Sequence, residues 1–382
     1  MRTLGLLLVA LLVSAASAQM AAEDIKVGFI YVGPVGDAGW TYAHDLGRQQ
    51  LEEELGVETT FVESVPEGDA EPFIDQLVDE GANIIFTTSF GYADATLAAA
   101  ERYPDVMFGH ATGFQRAPNV MTYIAEMYQA YYINGLIAGA LTESNQIGYP
   151  AAFPIPEVKR HINAFALGAA EVNPEAEVDV RWLSDWFDPA GAQEATEALM
   201  NEGADVFAFT EDTATVIQTA GAQGYPSFSH YASMLEFSPE TVASGQLTNW
   251  GEIYVDFVQG AIDGTYTPEN LEDLDYIWRM GDSGAVEAGA ETGMIINPVF
   301  EEQLQSVMVE DAELGEISVF DLVMQRVEAM TQAEPTFEPF TGPITDRQGN
   351  EVYAEDEVAP LGELMSLEWA APNVNGDWDN EP

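Results

Sequence analysis

Two successive trains of alternating strand-like and helical segments run through this chain, and they limit its possible folds more than any other feature. In the first train, Val27–Ile30, Thr59–Val62, Ile84–Thr88 and Val106–Phe108 read as strands, separated by helical patterns over Trp40–Leu55, Pro72–Glu80 and Ala93–Arg102. After Val120–Ile124 and a long helix over Glu126–Leu141 the alternation restarts. Strands are predicted at Gln146–Tyr149, Val178–Leu183, Asp205–Phe209 and Ser227–Tyr231, and helices at Val158–Glu171, Ala190–Asn201 and Thr213–Ala222. Strict alternation predicts an α/β fold with parallel, doubly wound sheets, and two trains in succession predict two similar lobes. The pattern continues through Gln246–Trp250, a helix over Tyr254–Ile262 and a strand at Tyr276–Met280. The Pro- and acid-rich end carries turn signals for a hairpin around Asp346–Asn350.

In such folds ligands bind beyond the carboxyl ends of the strands. The first strand runs directly into Gly33-Pro34-Val35-Gly36-Asp37-Ala38-Gly39-Trp40, where a helix begins. That edge therefore offers a carboxylate and an indole to whatever the cleft holds.

The amino terminus predicts export. Met1-Arg2 is a basic start, Leu4–Val13 an apolar core and Ala16-Ser17-Ala18 a small-residue cleavage site, so residues 1–18 read as a signal peptide. The apolar stretch is too short to span a membrane. With no cysteine there is neither a lipid-anchor site nor a disulfide framework, and the expected location is periplasmic. Against 65 Asp and Glu stand 11 Lys and Arg, a formal charge of −54, which disfavours nucleic acid and anionic membranes as partners. The acids are dispersed through ordinary apolar periodicity, as in Glu52-Glu53-Glu54, Glu301-Glu302 and Glu355-Asp356-Glu357. Such a surface, on a chain with only Lys26 and Lys159 as lysines, predicts a halophilic protein.

Enzyme signatures are missing. The sequence holds no G-x-S-x-G, phosphate loop, G-x-G-x-x-G or H-E-x-x-H motif. Its histidines, His44, His110, His161 and His230, lack metal-ligand spacing. The expectation is a binding protein with no catalytic residues, no metal and no cofactor. A secreted hydrolase remains as an alternative without positive support.

Five segments, in order, carry a family likeness: Gly36-Asp37-Ala38-Gly39-Trp40; Trp186-Phe187-Asp188-Pro189 with Gln193-Glu194; Gly203-Ala204-Asp205-Val206; Leu247-Thr248-Asn249-Trp250-Gly251; and the run from Phe340-Thr341-Gly342-Pro343 to Gln348-Gly349. Together they resemble the basic membrane protein family of ABC-transporter substrate-binding proteins. The resemblance implies a type I periplasmic-binding-protein fold, two Rossmann-like lobes joined by three crossovers and closing over a small molecule. It also implies an ABC permease in the inner membrane as partner and a monomeric state. A sensor subunit that presents the same ligand to a receptor is the alternative. The implied division is 24–124 with 250–295 for lobe I, 125–249 with 296–360 for lobe II, and 361–382 as a C-terminal tail.

Better-known relatives bind purine nucleosides and clamp ribose with an Asp after the fourth strand of the second lobe. Here that stretch is His230-Tyr231-Ala232-Ser233-Met234, with Ala232 at the acid's place, and Asn249-Trp250-Gly251 stands where a lysine is expected. The departure points to a bare purine base, adenine-like, with a purine nucleoside or another planar heterocycle as the alternative.

The candidate ligand-binding residues follow from strand ends and crossovers. Trp40 and Phe90 are placed as facing aromatic walls, since stacking on an aromatic is worth about 1–3 kcal/mol per base. Asp37 serves equally as ligand contact or helix cap. Glu126, past the first crossover, is where relatives place a carboxylate beside the base. Trp186 and the Thr210-Glu211-Asp212 stretch follow second-lobe strands, with Asp212 available for capping or for an exocyclic amine. Tyr231 ends the fourth strand of that lobe, and Asn249 and Trp250 are expected at the hinge floor.

Overall fold

The computed structural model describes residues 21–378, so the expected signal peptide lies outside the described residues. The strands are β1 (Lys26–Ile30), β2 (Glu58–Val62), β3 (Ile84–Thr87), β4 (Met107–Ala111), β5 (Val120–Ala125), β6 (Gln146–Ala151), β7 (Glu177–Trp182), β8 (Val206–Phe207), β9 (Ser227–Tyr231), β10 (Val242–Thr248), β11 (Asp275–Trp278) and β12 (Val286–Ala288). Between them run α1 (Trp40–Leu55), α2 (Ala70–Asp79), α3 (Ala93–Arg102), α4 (Tyr128–Leu141), α5 (Pro156–Val172), α6 (Pro189–Glu202), α7 (Thr215–Gly221) and α8 (Trp250–Ile262). The carboxyl-terminal part adds α9 (Pro298–Ser306), β13 (Met308–Asp311), β14 (Gly315–Ser318), α10 (Val319–Thr331), β15 (Ile344–Thr345), β16 (Glu351–Tyr353), α11 (Leu361–Leu364) and β17 (Val374–Asn375).

Two sheets result, with strand orders β11-β5-β4-β3-β1-β2 and β12-β10-β9-β8-β6-β7-β17. Every pair in the first sheet is parallel. In the second only β12, against β10, runs antiparallel. The chain crosses between the sheets three times: from β5 to α4, from β10 to α8, and from β11 to β12. The two expected Rossmann-like lobes and their three crossovers are thus present.

The inner strands β1, β3, β4 and β5 are buried on both faces and so read as nearly unbroken apolar runs. The second lobe is anchored by the α4–α5 pair, whose backbones approach unusually closely. A Cβ on Gly135 would lie 2.0 Å from the Phe165 carbonyl oxygen, and one on Gly168 would lie 2.2 Å from that of Tyr132. Glycine is the residue that permits this crossing.

Two segments sit differently from the expected division. The stretch grouped with lobe I to residue 295 contains β12, which is hydrogen-bonded to β10 in the second sheet. The stretch set apart as a tail contains β17, which extends the second sheet by pairing with β7. The hairpin expected around Asp346–Asn350 is the β15–β16 pair. Other differences are at boundaries: Glu126 precedes α4 rather than opening it, and the Asp205–Phe209 strand shrinks to two residues because only these join the ladder. Among the described residues, no helix is long and apolar enough to cross a membrane.

Candidate functional site

Carboxyl ends of strands from both sheets converge on one cleft. From the first lobe it is lined by Val32 after β1, Trp40 at the start of α1, Ser89 and Phe90 after β3, and Thr112 after β4. From the second lobe come Ile155 and Glu157 at the start of α5, Trp186 after β7, Asp212 after β8 and Tyr231 at the end of β9. This inner cavity is tight, with a volume of about 20 Å³. Phe90, Thr112, Ile155 and Glu157 also line an outer cavity of about 570 Å³, which continues past Phe114, Arg116 and Arg160 to Met365 and Ser366. The cleft thus has a narrow floor and a wide mouth.

Local chemistry explains the position of each side chain. Asp37 accepts hydrogen bonds from the backbone N–H groups of Gly39 (2.8 Å), Thr41 (2.9 Å) and Tyr42 (2.9 Å). It thereby caps the otherwise unpaired donors at the start of α1 and fixes the entry of Trp40. The Trp40 indole N–H donates to the Thr88 carbonyl at 2.6 Å, tying helix start to strand end. Asp188 caps α6 through the Gly191 N–H at 3.0 Å, with Pro189 at the first helical position. Tyr231 holds a left-handed backbone, φ 62°, which turns its ring from the sheet edge into the cleft.

The lobes touch across the floor. A Cβ on Gly39 would lie 2.8 Å from Asp212 Cα, so a larger residue there would hold the lobes apart. Trp40 meets Tyr231 and Trp250 edge-on, each at 5.1 Å. Trp250 in turn stacks on His44 at 4.2 Å, and burial keeps that imidazole well below its ordinary pKa.

The charge of the site is one-sided. Among the described residues no Lys or Arg side chain lines the inner cavity. Burial pushes Asp37 up to about 6 despite its three backbone donors. Burial, with the charge of Glu126, pushes Glu157 up to about 7 against the pull of Arg160. Glu211 and Asp212 are raised well above the ordinary carboxylate range, first by burial and then by neighbouring carboxylates. Glu211 Oε2 and Asp212 Oδ1 have no hydrogen-bond partner. Among the described residues no group of three or more His, Cys, Asp or Glu side chains is placed to hold a metal ion. The arrangement can therefore accept donors from a planar ligand held between aromatic rings.

Of the candidate residues, Trp40, Phe90, Trp186, Asp212 and Tyr231 line the cleft. Four do not. Asp37 lies behind Trp40 and is spent on the helix cap. Glu126 is fully buried, pairs with Arg160 and accepts from His161 Nε2 at 3.0 Å. Burial alone would raise its pKa, but the Arg160 charge and the His161 bond outweigh it and hold Glu126 at about 2. Asn249 precedes α8 and donates to Glu252 at 3.3 Å. Trp250 is completely buried beneath Trp40. The remaining lining residues, Val32, Ser89, Thr112, Ile155 and Glu157, were not among the candidates. The signal for Glu157 was available: Ile155-Pro156-Glu157 opens the helix after β6 as Gly39-Trp40 opens the one after β1.

Comparison with known proteins agrees with this architecture. The family model described as "ABC transporter substrate-binding protein PnrA-like" matches residues 24–305. A purine-binding protein of Brucella abortus is 37% identical over 358 residues, 93% of this chain and 94% of that protein. A putative ABC transporter glucose-binding protein of Haloferax volcanii is 38% identical over 268 residues, 70% of this chain and 66% of that protein. Among solved structures, an ABC transporter solute-binding protein from Aeropyrum pernix K1 superposes with a TM-score of 0.65 at 18% identity, covering 80% of this chain and 91% of that one.

Proposed function

The chain belongs to the PnrA-like family of ABC transporter substrate-binding proteins, and from that premise we propose that it captures a purine nucleobase, adenine-like, and delivers it to its permease. The family consists of transport proteins rather than enzymes, and its members typically work after export; the periplasm is the location this reading assigns. The observation that carries it is the cleft floor, which Asp212 lines together with Trp40, Phe90, Trp186 and Tyr231, its buried Oδ1 having no partner among the described residues. A flat heterocycle offers π faces to those rings and polar ring edges to the carboxyl groups.

Two features favour a base over its nucleoside. The first is Ala232, in place of the acid that clamps ribose in nucleoside-binding relatives. The second is the narrow floor, with a volume of about 20 Å³. The relative over nearly the whole chain is a purine-binding protein. Calorimetry in molar salt tests the reading: adenine should bind at least about tenfold more tightly than adenosine, a gap of about 1.4 kcal/mol. Equal or tighter binding of adenosine would show that ribose is held by other groups.

A second reading has its own support. Aromatic platforms and carboxylates also suit sugar hydroxyls, and the Haloferax volcanii relative is named for glucose. Glucose binding without adenine binding in the same experiment would replace the purine assignment.

A further inference from the structure

Where the lobes meet, Glu157 and Asp212 line the cleft floor, and the carboxyl groups of Asp37 and Glu211 lie behind it, near enough to act on Asp212. Asp37 comes from the loop before α1, Glu157 from the first turn of α5, and Glu211 and Asp212 from the turn after β8. The Tyr231 phenol, at the end of β9, feels Asp212, Glu157 and Asp37, and Asp188 stands behind Glu211. The guanidinium of Arg160 acts on Glu157 but is paired with Glu126 and the Leu364 carbonyl. Asp212 is only 2% exposed. The Trp40 backbone N–H is directed at its carboxyl group, and Gly39 packs against its backbone. Asp212 lines the cavity, and its Oδ1 is buried with no partner among the described residues.

An ionised carboxylate without a counter-charge is strongly disfavoured in such surroundings. We propose that Asp212 meets the ligand as a neutral carboxylic acid whose Oδ1 hydroxyl donates to a ring nitrogen, making it the residue that selects a base with an unprotonated nitrogen at that edge. The inference deepens the purine reading and rests on it. The direction of the titration agrees: burial, then the charges of Asp37, Glu211 and Glu157, raise the group, and only the Trp40 N–H opposes them.

Three measurements on the full-length mature protein test this. Infrared difference spectra of wild type minus Asp212→Asn, recorded at neutral pH without ligand, should contain a carboxylic-acid carbonyl band; carboxylate bands alone would overturn the proposal. In calorimetry with adenine, wild-type affinity should be flat on the acid side and fall with rising pH, by up to about tenfold per pH unit once the group ionises. Asp212→Asn, whose amide N–H₂ replaces the hydroxyl donor, should keep the acid-side affinity within about threefold and lose the pH dependence. A loss beyond about tenfold in a variant still folded by circular dichroism would show Asp212 to be an ionised acceptor and overturn the proposal. Adenine analogues with one ring nitrogen replaced by C–H locate the contact: one should lose about tenfold, whereas equal binding by all would refute the ring-nitrogen bond. If no purine binds, the purine reading fails, and the infrared bands still decide whether Asp212 is protonated.

Discussion

Trp40 of the first lobe stands edge-on to Tyr231 of the second, with ring centroids 5.1 Å apart and planes at 74°. The contact makes one residue both a wall of the cleft and part of the closure between lobes. Its indole N–H is already engaged by Thr88, so a ligand meets the ring of Trp40 rather than its polar edge.

Trp40→Ala should therefore lose on two measurements. Removing a buried Trp costs about 3–5 kcal/mol of stability, and loss of the stacking wall should weaken adenine binding by at least about tenfold. Trp40→Phe keeps an aromatic face and gives up mainly the hydrogen bond to Thr88, about 1 kcal/mol. Its affinity should stay nearer wild type. Reduced melting temperature with unchanged affinity in Trp40→Ala would place the residue in the core alone.

The Glu126–Arg160 pair makes a different prediction. Glu126→Gln strands a guanidinium that is 1% exposed, and breaking a buried pair in this way costs about 3–5 kcal/mol. Adding Arg160→Met should recover part of that loss. Because Glu126 lines neither cavity, adenine affinity measured well below the melting point should change by less than about threefold. The pH signs differ between neighbouring acids. Glu126, held at about 2, contributes stability that is present above its ordinary value of 4.5 and lost as pH falls through 2. Glu157, raised to about 7, contributes stability that is complete below 4.5 and lost as pH rises through 7. Denaturant midpoints across pH should show a flatter acid limb in Glu126→Gln and a flatter neutral limb in Glu157→Gln; parallel curves for all three proteins would contradict both assignments.

What was legible in the sequence is what depends on local period. α3 spans the predicted Ala93–Arg102 because its apolar spacing and flanking strands leave little freedom. The strand-end rule also found five residues of the cleft. Glu157 escaped because the apolar pattern of α5 starts at Val158, although Pro156 marks an earlier start. Glu126 was misplaced for a tertiary reason: its partner Arg160 lies 34 residues away on another helix, and no local pattern announces that pairing. β12 and β17 are three and two residues long, too short for a period, and are defined by the sheet edges they join.

The remaining prediction concerns salt. Glu52, Glu53 and Glu54 on α1 and Glu355, Asp356 and Glu357 near the carboxyl terminus are all exposed, and 65 acids face only 11 Lys and Arg. Two like charges about 10 Å apart in water repel by about 0.4 kcal/mol. With a net charge of −54, the summed repulsion becomes comparable to the 5–15 kcal/mol that typically hold a domain folded. Screening decides the outcome. The Debye length falls from about 30 Å at about 0.01 M to about 3 Å at 1 M, so each carboxylate ceases to feel the next. Transfer to dilute buffer should lower the melting temperature and reduce the circular-dichroism signal, and molar salt should restore both. Replacing Glu52, Glu53 and Glu54 together by Gln should reduce the salt requirement while leaving adenine affinity unchanged, since these residues lie outside the cleft. Identical melting curves in dilute buffer and molar salt would refute the electrostatic account.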